Sequence, residues 1–590
     1  MTEPTSSTPA DEEGAPASLP GRQASLSGRH GASRTPLADA VLAVARRDIA
    51  SFHALPLSHG RSIRDSRVRE SYEALFGAAQ LAADVSYSGT MLDSFFRPRG
   101  PLREAQRLAA AGFGADATFF LSTGTSTANR VALTALARPG SRVLADRSCH
   151  QSVHFALGAL GVDVTYAPMQ RCCADCPRTF GDLPRLLQTF RTAVAEGRPY
   201  DTVVLSAVSY DGVRYDLPTV LAELAAAHPK VAVLVDEAWG AVHRFHPQLR
   251  PLTALHAVEH LRRTGGPLPL AVAVTHSAHK SMSALRQGSY LHLVGDGEAR
   301  ERTAQALFQH HTTSPSWPVL ASLDLARLQA ETEGEQLLER SLNLARTLRA
   351  ELGGDPRLSA YRALGPEGHL TDPALLVSDD PTRVLVDISA LGITAADFRR
   401  ILFDDYGLYV ARESGDAVLF HVHIGVDEAT LLRLLEALRT IQRTYRTASA
   451  ALTQGTSDHF IIAYPPGIPI TVPGERLCDR TLGEIGALRS SGCEIYTLQQ
   501  PGTSTATYGV PSGPAVPTTT DTRPPATVSA TQAHSPTTAA PAPPPAPTAR
   551  VTPAAIGAPA PSRIPATPIS AAPAGASAAP AIPAVPAGRK

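Results

Sequence analysis

VAVLVDEAW (231–239) is the stretch on which the fold turns. Five apolar residues, three of them valine, run without alternation into Asp236. A short continuous apolar run of this kind reads as a parallel strand covered on both faces. A carboxylate closing such a strand is costly unless a cap, a salt bridge or some other charge meets it.

The same pattern recurs on either side. ATFFLST (117–123), RVLADR (142–147), TVVLSAV (202–208) and LAVAVTHS (270–277) are short apolar or β-branched runs bounded by turn residues. Helical stretches such as TANRVALTALARPG and PTVLAELAAAHP lie between them. Alternating strand and helix predicts an α/β fold whose mainly parallel sheet is covered on both faces. Beyond about residue 330 the order changes to a long helical stretch, TRVLVDIS, AADFRRILFDDYG, AVLFHVHIG and EATLLRLLEALRTIQRTY. That order predicts a smaller α+β domain. The expected organisation is a tail over 1–35, a large domain with an N-terminal arm over 36–330, a small domain over 331–497 and a second tail over 498–590. Both tails are rich in Pro, Ala, Ser and Thr, a composition that buries too little apolar surface to offset chain entropy, so both are expected to be disordered.

Composition narrows the function. The chain has 590 residues and a formal net charge of +0, which gives no electrostatic case for nucleic acid or for an anionic membrane surface. No apolar run is long enough to span a bilayer, and the acidic, polar start is unlike a signal peptide, so the expected location is the cytoplasm. Six cysteines are too few for a disulfide scaffold at this length. Cys172, Cys173 and Cys176 form a CCADC cluster without a second CxxC or HxxxH partner, and no metal is expected there.

Five segments carry polar residues where chemistry is expected. LSTGTSTAN (121–129) is a strand end, a turn and a helix start. Gly124, Thr125 and Ser126 there offer backbone N–H groups and hydroxyls that suit a phosphate, though Ser and Thr also cap ordinary helices. ADRSCHQS (145–152) places His150 just past the next strand. VLVDEAWGAVHRFHP (233–247) supplies Asp236, and VTHSAHKSMSAL (274–285) supplies Ser277, His279 and Lys280. Desolvation at a strand end lowers a lysine's pKa, as a Schiff-base lysine requires. HHTTSPSWPVLASLD (310–324) reads as a polar loop reaching into a site. Open parallel sheets bind ligands at their carboxyl edge, which is where the first four segments put their side chains.

This ordered set resembles the ornithine/lysine/arginine decarboxylases of the pyridoxal phosphate (PLP)-dependent, aspartate-aminotransferase-like superfamily. LDSFFRPRGPLREAQRLAAAGFGADATFFLSTGTSTAN (92–129), DRSCHQS, SYDGVRYD (209–216), DEAWGAVHRFHP, HSAHK, HTTSPSWPVLASLD, YGLYV (406–410) and YPPGIPITVPGE (464–475) all look like family blocks. The regulatory wing of larger members is expected to be missing. The resemblance implies that Lys280 carries PLP as a Schiff base and that Asp236 pairs with its ring nitrogen. It further implies that Thr125, Ser126 and Ser277 hold the phosphate, that His150 stacks on the ring, and that Ala238 packs beneath it. Ser209 approaches the ring and His279 assists proton transfer. Thr312, Thr313 and Ser314 reach the phosphate of a neighbouring subunit, which implies a homodimer or higher homo-oligomer with shared sites. The implied reaction is decarboxylation of a basic amino acid, with Trp239 on the substrate side.

One departure bears on the substrate. The family's YGI-x-V-E places a glutamate where this chain has Ala411. Glu413, two residues on in a strand, is expected to face the same side and substitute, with Arg412 pointing away. An aminotransferase of the same fold is the nearest alternative. Such enzymes hold the substrate carboxylate with a late arginine, and AVLFHVHIG has His421 and His423 instead.

Overall fold

The computed structural model describes residues 34–499, apart from 86–90, 173–176, 366–369, 371, 451–454, 458, 465–467 and 491–493. Nearly all of both predicted tails, together with Cys173 and Cys176, therefore lies outside the described residues.

Seven strands form the main sheet: β1 (Ala117–Leu121), β2 (Arg142–Asp146), β3 (Asp163–Ala167), β4 (Thr202–Ser206), β5 (Ala232–Asp236), β6 (Ala271–His276) and β7 (Ser289–Val294). Their order is β1-β7-β6-β5-β4-β2-β3. β2 to β6 pair in parallel, and β7 alone runs against both of its neighbours. The five predicted strands are present. β3 and β7 are additions, and β7 inserts between β1 and β6, which run in one direction.

Valine, leucine and alanine fill β4, β5 and β6, which are buried at every position, as central parallel strands between helical layers must be. One contiguous core unites this sheet with its helices. An N-terminal helix, Pro36–Ala45, joins it through Leu37, Val41 and Val44. Asp324 accepts the backbone N–H of Leu37 at 2.9 Å and thereby ties that arm down.

The predicted boundary at 330/331 falls inside one continuous helix, Trp317–Gly354. Leu338 still packs in the large core, whereas Leu344, Ala345 and Leu348 belong to the small one. The change of domain is thus a change of the helix's packing partner, with no break in its backbone. The small domain is an antiparallel sheet of β8 (Arg362–Leu364), β9 (Arg383–Asp387), β10 (Arg412–Ser414) and β11 (Ala417–His421), in the order β8-β9-β11-β10. The helices Ala395–Asp404 and Glu428–Ala450 belong to it. The region 455–499 forms a further three-stranded sheet with its own small core of Ile461, Leu477 and Ile485. The span expected as one small domain thus holds a second apolar core. Among the described residues no helix is long and apolar enough to cross a membrane.

Candidate active site

Every parallel strand of the centre delivers a polar side chain at the same edge. β5 ends on Asp236, β6 runs into Ser277 and Lys280, β4 ends on Ser206, and the turn after β2 holds Ser148 and His150. β1 leads to Gly124 at the start of the helix Thr125–Leu136. These residues line a cavity of about 440 Å³, together with Asn129, Ser209, Tyr210, Ala238, Trp239, His279, Arg286 and Gln287. All the predicted site residues except Thr312, Thr313, Ser314 and Glu413 are among its lining.

The Gly124 turn is built for an anion. Its φ of 81° lies in the left-handed region, which glycine adopts without a side-chain penalty. The helix beyond it is twelve residues long and opens toward the cavity with the N–H groups of Thr125 and Ser126. Thr125 Oγ1 lies 2.5 Å from Ser277 Oγ, so hydroxyls from two elements converge there.

Asp236 is 7% exposed and accepts hydrogen bonds from Asn129 Nδ2 at 2.8 Å and from the Ala238 N–H at 3.1 Å. Both donors are neutral, and among the described residues no ion pair reaches the carboxylate. A buried carboxylate served only by neutral donors suits a cationic ligand atom. Asn129 is held in turn by Thr275, whose hydroxyl donates to Asn129 Oδ1 at 2.7 Å. Sequence reading missed Asn129, although it stands one helical turn after Thr125 and so on the same face.

Lys280 is half-buried on the short turn Ala278–Ser281. Burial lowers its pKa, the nearby Asp236 pulls the other way, and Arg383 adds to the lowering. Its Nζ sits 4.1 Å from the centroid of the Trp239 ring. His279 Nδ1 is 3.0 Å from the Gly288 carbonyl, which can only accept, so the Nδ1–H donates and a neutral ring leaves Nε2 bare. Burial lowers the pKa of His279 and favours that neutral form. His150 Nδ1 accepts the Ser152 N–H at 3.2 Å, which caps the helix Gln151–Leu160 and orients the imidazole at the cavity wall.

Four predicted residues stand elsewhere. Thr312, Thr313 and Ser314 are exposed and outside this cavity, on the stretch between the helices Gly297–His310 and Trp317–Gly354. The expectation for Glu413 is corrected. Its carboxylate pairs with Arg399 at 2.6 Å, on the helix Ala395–Asp404. The neighbouring Arg412 instead stacks on Tyr210 at 5.1 Å and lies 3.4 Å from Asp211. The register explains the swap. Glu413 is opposite Val418, whose side chain is in the helix-covered core, whereas Arg412 is opposite Leu419 on the other face. Ala411 precedes the strand, so counting by twos from it gave the wrong side.

A strand-end aspartate, a lysine just past the next strand and a Gly-Thr-Ser helix start on one sheet edge suit the PLP-dependent transferase fold. The E. coli constitutive lysine decarboxylase structure aligns with a TM-score of 0.60 at 22% identity, over 78% of this chain and 80% of that one. Residues 35–371 match the family described as "Orn/Lys/Arg decarboxylase, major domain", and the chain belongs to that family of amino-acid decarboxylases. Arginine decarboxylases of Bacillus subtilis and Bacillus anthracis are each 29% identical to it, over 67% and 79% of this chain and 82% and 96% of theirs. A lysine decarboxylase of Pseudomonas aeruginosa is 32% identical over 51% of this chain and 41% of its own length.

Proposed function

We propose that the protein is a PLP-dependent decarboxylase of a basic amino acid, releasing carbon dioxide and the corresponding amine. The observation that carries this reading is Lys280 and Asp236 lining one cavity at adjacent strand ends, with the Thr125–Ser277 hydroxyl pair in the same lining. PLP bound there would supply the electron sink into which the Cα–carboxylate bonding pair passes.

The residues divide the remaining work. Lys280 would hold the cofactor, its pKa lowered by burial toward the free amine. Thr125, Ser126 and Ser277 hold the phosphate, with Gly124 shaping the turn. Asp236, oriented by Asn129, keeps the ring nitrogen protonated. His150, Ala238 and Ser209, all in the cavity lining, would hold the ring. The bare Nε2 of His279 is suited to moving a proton at Cα. Trp239 borders the substrate. Thr313, exposed on its own subunit, is suited to completing the phosphate site of a second copy, so the working enzyme is a homo-oligomer. Decarboxylation is preferred to transamination because the chain belongs to the decarboxylase family; of the two small-domain arginines at the cavity wall, Arg412 lies over Tyr210 and Arg383 stands against Trp239 with its side chain 1% exposed.

The test is carbon dioxide release from arginine, lysine, ornithine and a neutral amino acid, with PLP added and the visible spectrum recorded. Release from one basic amino acid, with a cofactor band that Lys280→Ala abolishes together with turnover, is the expected result. A cofactor band that persists in Lys280→Ala, or turnover of the neutral amino acid alone, overturns the reading.

A further inference from the structure

Two cations share the ring of Trp239. Lys280 Nζ stands 4.1 Å from its centroid and Arg383 Cζ stands 4.6 Å from it. Lys280 belongs to the large-domain site, whereas Arg383 opens β9 of the small domain. Two like charges set against one ring in a partly buried place repel, so the fold must hold them there.

The fold does hold Arg383. Its Nη1 donates to the Tyr210 carbonyl at 2.8 Å, and its backbone N–H donates to the Asp380 carbonyl at 3.0 Å. Its Nε lies 3.7 Å from the Asp380 carboxylate, and both side chains are 1% exposed. Gly212 clears the path: its φ is 82°, and a Cβ there would stand 2.7 Å from the Cβ and Cγ of Arg383. Nε and Nη2 nevertheless have no hydrogen-bond partner among the described residues. A buried guanidinium with two unfilled donors costs stability, so packing alone does not account for it.

We propose that Arg383 is a positioning residue for the reactive lysine: from the small domain it fixes the plane of Trp239 and sets a permanent positive charge beside the ring on which Lys280 rests. The role as a reactive lysine rests on the function proposed above; the coupling of Arg383 to Lys280 does not. The charged and titratable groups around Lys280 are Asp236 at the end of β5, His150 after β2, His279 and Arg286 beyond β6, and Arg383 from β9. Asp236 favours the ammonium; Arg383 opposes it and favours the free amine, the form that attacks a carbonyl. The small domain thereby takes part in loading the cofactor without touching it.

The test uses the full-length chain freed of cofactor. The pH dependence of Lys280 acylation, read by peptide mass spectrometry, gives the midpoint at which that amine loses its proton. Arg383→Met is expected to raise the midpoint by about one unit, and Arg383→Lys to keep it near the parent value. The chain has two tryptophans, so the difference between parent and Trp239→Phe isolates the emission of Trp239. That emission is expected to shift in Arg383→Met and to stay closer to the parent in Arg383→Lys. Arg383→Met combined with Asp380→Asn repeats both measurements without a buried carboxylate left unpaired, should the single variant not fold. A folded Met variant with an unchanged Lys280 midpoint and unchanged Trp239 emission overturns the proposal. Covalent PLP binding by Lys280→Ala would instead overturn the function and leave the Arg383 coupling to be judged on its own measurements.

Discussion

At the scale of single residues, the site depends on a neutral side chain that does no chemistry of its own. Asn129 is 1% exposed and spans Thr275, Ser152 and Asp236 with hydrogen bonds of 2.7, 3.1 and 2.8 Å. It aims the carboxylate without adding a charge to it, which an arginine at the same place would do. Removing a donor to a buried charged acceptor costs about 1–3 kcal/mol. Asn129→Ala is therefore expected to weaken PLP binding by roughly tenfold or more, measured by titrating the stripped protein with PLP. Unaltered affinity would show that Asp236 is oriented by Ala238 alone. His279 illustrates the same logic, since one carbonyl acceptor, Gly288, selects which ring nitrogen is available.

At the scale of elements, the small sheet has two faces with different duties. Val384, Val386, Val418 and Phe420 turn to the helices, while Leu385, Leu419 and Ala417 form a separate patch on the other face. Arg383, opposite His421, and Arg412, opposite Leu419, share that second face. They reach Trp239 and Tyr210, two aromatic residues of the cavity wall. Glu413 is on the helical face, in a partly exposed pair with Arg399. Pairs of that kind contribute about 0–1 kcal/mol. Glu413→Gln is accordingly expected to leave KM unchanged and stability within about 1 kcal/mol, whereas Arg412→Gln frees Tyr210 and is expected to raise KM. Steady-state kinetics on the preferred substrate decide the matter, and a higher KM for Glu413→Gln would restore it as a substrate residue.

At the scale of the whole molecule, several histidines are folded in as neutral rings. Burial pulls His243 down to about 3, with the Asp380 charge opposing it, and it pulls His292 and His421 well below the usual range. The unfolded chain protonates these rings near pH 6.5 while the native one does not. Stability from each is therefore complete above about pH 6.5 and falls as the pH drops toward the native value, by about 1.4 kcal/mol per pH unit. The protein is expected to be less resistant to urea at pH 5.0 than at pH 7.5, and His243→Gln to show a shallower loss. Equal unfolding midpoints at the two pH values would contradict this account. His292 is on β7 of the large domain and His421 on β11 of the small one, so acid weakens both domains.

The sequence by itself determined the α/β class, five of the seven strands of the main sheet and most of the residues that line the cavity. Those features are local: a short unalternating apolar run makes a buried strand, and the residue that ends it stands at the sheet's carboxyl edge. β7 was not legible, because SYLHLV carries a histidine whose burial is made possible by Thr118 and His276, both distant in the chain. The domain boundary was hidden as well, since a helix that changes partners keeps its own periodicity. Only the tertiary structure decided that Glu413 turns away, that Asn129 serves Asp236, and that Arg383 stands beside Trp239. Each of these depends on the register of one strand against another or on a contact across more than a hundred residues, and neither is encoded within any single segment.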